Sequence, residues 1–319
     1  MTPRYENHRP LPRTPSDRLA GGAPTNFLVQ GAKAAACAAN PAEIPRATAA
    51  TTKPVESLLP YKDGPLKREA QEEGAASAMN KFQAASLSRS EVNRAGDVLR
   101  ALQLRDPAAG DNPFWAYQTL IDFRAAHQYP LIKATVGLRS MVSTAGCKVE
   151  VTQRLKRIPT ILNKLVREPK MELGRMQDIG GCRAVLGSIG EVQSVERRIQ
   201  KAMIRRSGHA ARSKDYINSP RESGYRGVHV IVQYDGMNVE VQLRTQVMHQ
   251  WAIAVERLSW RMSDDLKSGT GPREIIDWLR AVSMAMAIEE TGGTVSQAAL
   301  ADLNGLRETA LAYIGGDRR

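Results

Sequence analysis

The chain has 319 residues, with 45 Lys and Arg against 33 Asp and Glu, a formal net charge of +12 and a pI near 9.8, a balance that attracts polyanions such as nucleotides, nucleic acid or anionic membrane. Its three cysteines, Cys37, Cys147 and Cys182, form no CxxC, which argues against a disulfide framework or a cysteine metal site and fits a reducing compartment. No run of about 18 apolar residues and no compact apolar leader is present, so the expectation is a soluble, cytoplasmic protein without a membrane partner.

Residues 1–74 are rich in Ala, Pro, Thr and Gly with no sustained period, as in RPLPRTPSD. Such a segment buries too little surface to offset its ordering entropy, and a disordered low-complexity tail is expected; its Arg content and scarcity of acids also resemble a targeting leader. Residues 75–144 read as helical. SEVNRAGDVLRALQL and NPFWAYQTLIDFRAAHQYP carry apolar residues at helical spacing, opened by Ser90 and Asn112 as caps and with Pro130 closing the second; LIKATVGLRSMVSTAG follows.

The run VTQRLKRIPTILNKLVR gathers Val151, Leu155, Ile158, Ile161, Leu162 and Leu165 on one side of a helical wheel. Arg157, Thr160, Lys164 and Arg167 fall on the other, with Arg154 and Lys156 at its margins and Pro159 as a kink or a first turn. Cations at helical spacing with no acid among them repel unless an anion sits between them; an ordinary solvated face is the bland alternative. In MQDIGGCRAVL, Asp178 precedes Gly-Gly and a strand carrying Arg183. The glycines allow close backbone approach to a ligand and the Asp is a candidate hard-metal ligand, against the alternative of an ordinary surface turn.

Strand-like CRAVLGSI leads to a helix through EVQSVERRIQKAMIRR, and then to KDYINSPRESGYRGVH, read as a loop. Asp235-Gly236 between GVHVIVQYD and MNVEVQLRT is a strong hairpin signal. A two-residue turn sets Tyr234 against Met237, Val232 against Val239, Val230 against Val241 and Val228 against Leu243. The opposite face then carries His229, Ile231 and Gln233 against Gln242, Glu240 and Asn238, with Arg244 continuing the row. That row is either a polar platform or a solvated sheet face. Helices through HQWAIAVERLSWRM, REIIDWLRAVSMAMAIEE and SQAALADLNGLRETALAYI complete the chain, the last two within 263–319. The middle is an α/β or α+β unit with helices on both sides.

In this order and spacing, residues 145–262 resemble the synthetase domain of the RelA/SpoT-type alarmone synthetases. Arg154, Lys156, Thr160 and Lys164 match the family's Arg-x-Lys-x-x-x-Ser-x-x-x-Lys pattern, with Thr for Ser. Asp178 and Arg183 match its metal-bearing Asp and strand Arg. Lys214, Asp215, Tyr216, Ile217, Pro220, Arg221, Gly224, Tyr225 and His229 match its acceptor loop, with Gly227 where Ser is usual, and Glu240 to Thr245 match its Glu-Val-Gln-Ile-Arg-Thr strand. Nothing resembles the family's hydrolase or regulatory domains.

The resemblance implies an α+β fold, a small mixed-sheet, nucleotidyltransferase-like core flanked by helices, and a small stand-alone (p)ppGpp synthetase. It implies transfer of the β,γ-pyrophosphate of ATP to the 3′-hydroxyl of GDP or GTP, yielding AMP. Arg154, Lys156, Thr160, Lys164 and Arg183 would bind ATP, and Lys214, Arg221, Tyr225, His229, Gln242 and Arg244 the acceptor, with Tyr225 stacking on its base. Asp178 and Glu240 would be catalytic and hold Mg²⁺, Glu240 also taking the hydroxyl proton. Adenine nucleotides or the 3′ end of tRNA are alternative acceptors, a non-catalytic basic RNA- or nucleotide-binding protein is the alternative of another class, and a homo-oligomer is left open.

Overall fold

The computed structural model describes residues 87–106 and 113–315, so the expected tail and the Asn112 cap lie outside the described residues. Three helices come first: α1 (Arg89–Leu104), α2 (Phe114–Ala126) and α3 (Gln128–Thr144). Ser88 rather than Ser90 caps α1, its Oγ accepting from the Glu91 amide at 3.2 Å. Pro130 does not close α2, which ends at Ala126. It lies in the first turn of α3, where an amide would have no intrahelical partner, so the ring costs little.

Five strands follow: β1 (Val151–Leu155), β2 (Gly180–Leu186), β3 (Arg212–Asp215), β4 (Val228–Tyr234) and β5 (Met237–Thr245). They form one sheet in the order β1-β2-β5-β4-β3. The β2–β5 pair is parallel and the other three are antiparallel, so the fold is α+β with a mixed sheet. Two long helices interrupt the strands, α4 (Ile158–Arg167) and α5 (Ile189–Ser207), and three follow them: α6 (Gln246–Met262), α7 (Arg273–Glu290) and α8 (Gln297–Gly315).

The hairpin has the expected register, Tyr234 opposite Met237 through Val228 opposite Leu243. Asp235 and Gly236 both have positive φ, +50° and +78°, the condition for a two-residue turn whose twist matches its strands. The apolar face, with Val228, Val230, Val232, Val239, Val241 and Leu243, packs beneath Leu131, Ala134 and Leu138 of α3 and Val192, Val195 and Ile199 of α5. Each such large side chain contributes about 1.5–3 kcal/mol when fully buried.

Two expectations are corrected here. Val151–Leu155 is a strand, not the start of a helix: it pairs antiparallel with Gly180–Ala184. The helix begins only at Ile158, with Pro159 in its first turn, where the fixed φ suits a helix and the missing N–H is no loss. Lys214 and Asp215, read as the start of a loop, belong to an edge strand, Arg212–Asp215, paired with β4. Among the described residues no helix is long and apolar enough to cross a membrane.

Candidate functional site

Residues directly opposite one another across paired strands share a face of the sheet. Arg154 opposes Gly181, Gly181 opposes Glu240 and Arg183 opposes Gln242. Gln242 opposes His229, which in turn opposes Lys214. The period of two therefore places Arg154, Arg183, Lys214, His229, Glu240, Gln242 and Arg244 on the single face turned away from α3 and α5.

At the β1–β2 end, two lysines converge on one carboxylate. Lys156 Nζ lies 2.7 Å from Asp178 Oδ2 and Lys164 Nζ lies 3.0 Å from Oδ1. Lys156 sits just past β1, its amide donating to Ile179 O at 2.7 Å, and Lys164 is brought over by α4, whose Ile161, Leu162 and Leu165 are buried. Burial pushes the Asp178 carboxyl upward, but the charges and hydrogen bonds of the two lysines outweigh it and hold the group below its usual range. Arg154 and Thr160 are solvent-exposed beside this pair.

Glu240 is the terminus of a closed circuit of side chains. Its Oε1 lies 2.9 Å from His229 Nδ1, and its Oε2 accepts from Gln242 Nε2 at 2.6 Å. His229 Nε2 lies 2.5 Å from the Tyr225 hydroxyl, which accepts from Arg244 Nε at 3.1 Å. Arg244 also donates to Gln242 Oε1 at 2.8 Å, closing the ring. With the imidazole hydrogen on Nδ1, every donor in the circuit points toward Glu240. Burial raises the Glu240 carboxyl, but the His229 and Gln242 bonds and the Lys164 charge prevail and bring it down to about 2.

This geometry encloses three of the residues expected at the acceptor site. Tyr225 is fully enclosed and Arg244 is 1% exposed, so neither presents a surface to a base or a phosphate; with the nearly buried His229 they brace Glu240 instead. Tyr225 is enclosed because Gly224, at φ +87°, lets the loop backbone press on α7, where a Cβ would stand 2.8 Å from Arg280 Cα. The accessible ring is the half-buried Tyr216, which lies edge-on to His229 and Tyr225 and carries the Arg221 guanidinium 4.6 Å above it. Lys214 is exposed. Gly227, where the family has Ser, has φ +149° and leaves only 3.1–3.3 Å between a Cβ position and Arg244 Cγ, Leu243 O and the Tyr225 hydroxyl. The glycine therefore belongs to the packing of the circuit.

Sequence reasoning missed a second group beside it. Lys267, in the short turn Leu266–Ser268, lies 2.6 Å from Glu256 Oε1 of α6 and 5.1 Å above the Tyr225 ring. Burial, then repulsion from Arg244, lower its ammonium to about 8 despite Glu256. Arg183 Nε, Arg244 Nη1 and His249 Nδ1 are buried with no hydrogen-bond partner, and Arg183, held down by burial and then by Arg244, feels the Glu256 and Arg154 charges too. Lys267 and Arg183, both only partly buried, are the cations of this cluster that an anion from solvent could reach. Because Lys267 loses its charge as pH rises through about 8, affinity for inorganic pyrophosphate measured by calorimetry should fall roughly tenfold between neutral pH and about pH 9, the worth of one charge-assisted hydrogen bond. Lys267→Arg should flatten that fall, and an unchanged alkaline limb in this variant would exclude Lys267 as its source.

Among the described residues no three His, Cys, Asp or Glu side chains group as a metal cage. The donor set on offer is two ionised carboxylates, Asp178 and Glu240, at the same end of neighbouring strands and both within the influence of Lys164. That fits Mg²⁺, which accepts one or two protein carboxylates and completes its shell with phosphate oxygens and water.

Residues 153–264 match the family described as "Region found in RelA / SpoT proteins". The chain is 32% identical over 126 residues to the GTP pyrophosphokinase YjbM of Bacillus subtilis, an alignment covering 36% of this chain and 58% of that protein. It is 26% identical over 151 residues to YwaC, a GTP pyrophosphokinase of the same organism, covering 43% and 68%. It is also 30% identical over 165 residues to the uncharacterized Rv1366 of Mycobacterium tuberculosis, covering 50% and 56%. The crystal structure of small alarmone synthetase 1 from Bacillus subtilis bound to its product pppGpp aligns with 57% of this chain and 95% of its own at 22% identity, with a TM-score of 0.44.

Proposed function

Starting from residues 153–264 as a RelA/SpoT-type synthetase region, we propose that the protein is a (p)ppGpp synthetase that moves the β,γ-pyrophosphate of ATP onto the 3′-hydroxyl of GDP or GTP. The observation that carries this reading is a pair of carboxylates each held below its usual range by its surroundings, Asp178 under two lysines just before β2 and Glu240 in the side-chain circuit on the neighbouring strand β5. Transfer of this kind needs in-line positioning and neutralisation of phosphate charge more than covalent chemistry. Lys156 and Lys164 are assigned to the ATP phosphates, exchanging part of their contact with Asp178 for phosphate oxygens. Arg154, Thr160 and Arg183 line the same side.

Asp178 and Glu240 would hold Mg²⁺, which when bound neutralises the phosphates and polarises the phosphorus under attack. Glu240, ionised and fixed by His229 and Gln242, is assigned to cation ligation, to orienting the acceptor hydroxyl and to taking its proton. For the acceptor, the exposed Lys214 and the Arg221–Tyr216 pair offer a cation and a ring. His229, Gln242, Arg244 and Tyr225 act by fixing Glu240.

Incubation of the protein and Mg²⁺ with ATP labelled at the γ-phosphate, against GDP, GTP, ATP, AMP and uncharged tRNA in turn, tests the reading. Label should move to GDP or GTP with stoichiometric AMP. Transfer only to an adenine nucleotide or to tRNA would change the acceptor assignment, and no transfer to any of them would leave a nucleotide-binding protein without this activity.

A further inference from the structure

The acceptor-side loop, residues 216–227, is held from outside the family match, which ends at residue 264. Arg226 Nη1 lies 2.9 Å from Glu290 Oε2 at the last residue of α7, and both side chains are only 8% exposed. Ser283 Oγ donates to Gly224 O at 2.5 Å and Arg280 Nε donates to Glu222 O at 3.0 Å. The buried Ser223 donates to Lys267 O at 2.8 Å. Within the loop, Gly224 N bonds Arg221 O at 2.8 Å and Arg221 N bonds Tyr225 O at 3.1 Å, so whatever fixes Gly224 also fixes the backbone that carries Arg221.

Two kinds of contact meet in this arrangement. Backbone oxygens of the loop are bonded from α7 at two consecutive turns, which sets the loop's height above the sheet. The Arg226–Glu290 pair then anchors the loop's exit into β4. A buried ion pair gives little net stability against an apolar pair of the same shape, but losing one partner is costly because it strands a charge. Its use here is to select one loop position.

We propose that α7 is the positioning element for the acceptor nucleotide, with the Arg226–Glu290 pair as its principal contact, so that the C-terminal helices set acceptor affinity without touching the donor. This rests on the synthetase reading above. The consequence is an asymmetry: loosening α7 shifts Arg221 and Tyr216 but leaves Lys156, Lys164 and Asp178 in place, since those are held by β1, β2 and α4.

Glu290→Gln in the full chain is the test, with Ser283→Ala as a milder variant that removes one tether and strands no charge. Expected for Glu290→Gln is a KM for GDP or GTP raised by about tenfold, a KM for ATP within about twofold of wild type, and faster amide exchange confined to residues 216–227. Ser283→Ala should shift the same KM in the same direction by less, and the exchanged pair Arg226→Glu with Glu290→Arg should recover much of the loss. Equal changes in both KM values, or unaltered exchange in the loop of a folded Glu290→Gln protein, would overturn the proposal. If wild type transfers label to no acceptor, the synthetase reading fails on its own, and the exchange measurement still decides whether α7 holds the loop.

Discussion

Glu240→Gln should abolish turnover while leaving the protein folded. The substitution keeps the shape of the side chain and one acceptor oxygen, but it removes the charge on which the His229 and Gln242 bonds converge. The stability cost should stay near the worth of one or two hydrogen bonds, about 1–3 kcal/mol, and be visible as a modest fall in Tm. The catalytic cost should be larger. Losing a cation ligand and the field that orients the acceptor removes interactions made mainly in the transition state, and about 4 kcal/mol of such stabilisation is roughly a thousandfold in kcat. Steady-state rates over a range of Mg²⁺ concentrations provide the measurement. A Glu240→Gln protein retaining more than about a tenth of wild-type kcat would remove Glu240 from the catalytic assignment.

Tyr225→Ala should destabilise the protein rather than selectively weaken acceptor binding. The ring is fully buried among Tyr216, His229 and Trp251, and deleting a large buried aromatic typically costs about 3–5 kcal/mol. Tyr225→Phe separates packing from bonding. It keeps the ring but leaves His229 Nε2 and Arg244 Nε facing each other without the hydroxyl, at about 1–3 kcal/mol, and it opens the circuit behind Glu240, so kcat should fall more than either KM rises. Denaturant unfolding read beside the kinetics decides the matter: an unchanged midpoint in Tyr225→Ala together with a raised acceptor KM would return the residue to the base-stacking role that its sequence context suggests.

The hairpin was legible because two independent signals agreed, an Asp-Gly turn and strict alternation, and they fix every opposed pair from Tyr234–Met237 to Val228–Leu243. β1 was not, because the spacing of Val151, Leu155, Ile158 and Leu162 fits a helix as well as it fits a strand that hands over to a helix at Arg157. β3 was hidden because Arg212–Asp215 is a four-residue polar edge strand with no buried face to produce alternation. Asp178 and Glu240 stood out through their motifs, and folding sets each carboxylate against cationic or hydrogen-bonding partners. The enclosure of Tyr225 was not legible because Ser, Pro and Gly mark a solvent loop, whereas α6, the turn carrying Lys267 and α7, all later in the chain, close over it. Lys267 and Glu256 carried no signal of their own, since a lysine after a helix and a glutamate within one are ordinary surface residues until folding brings them together.

The parallel pairing of β2 with β5 at the middle of the sheet has a consequence for partial chains. Asp178 and both of its lysines are already made when β2 is complete, but the strand that covers the second edge of β2 is the last of the five to be synthesised. A ribosome stalled upstream of Met237, or a protease cutting in the loop before β4, gives an N-terminal fragment whose β2 has a row of unpaired backbone donors and acceptors, an edge prone to pairing with other chains. Such fragments also lack Glu240, Gln242 and Arg244. Incomplete synthesis therefore yields aggregating or degraded fragments and no weakened enzyme, so in the proposed reading the nucleotide product can come only from chains extended through β5.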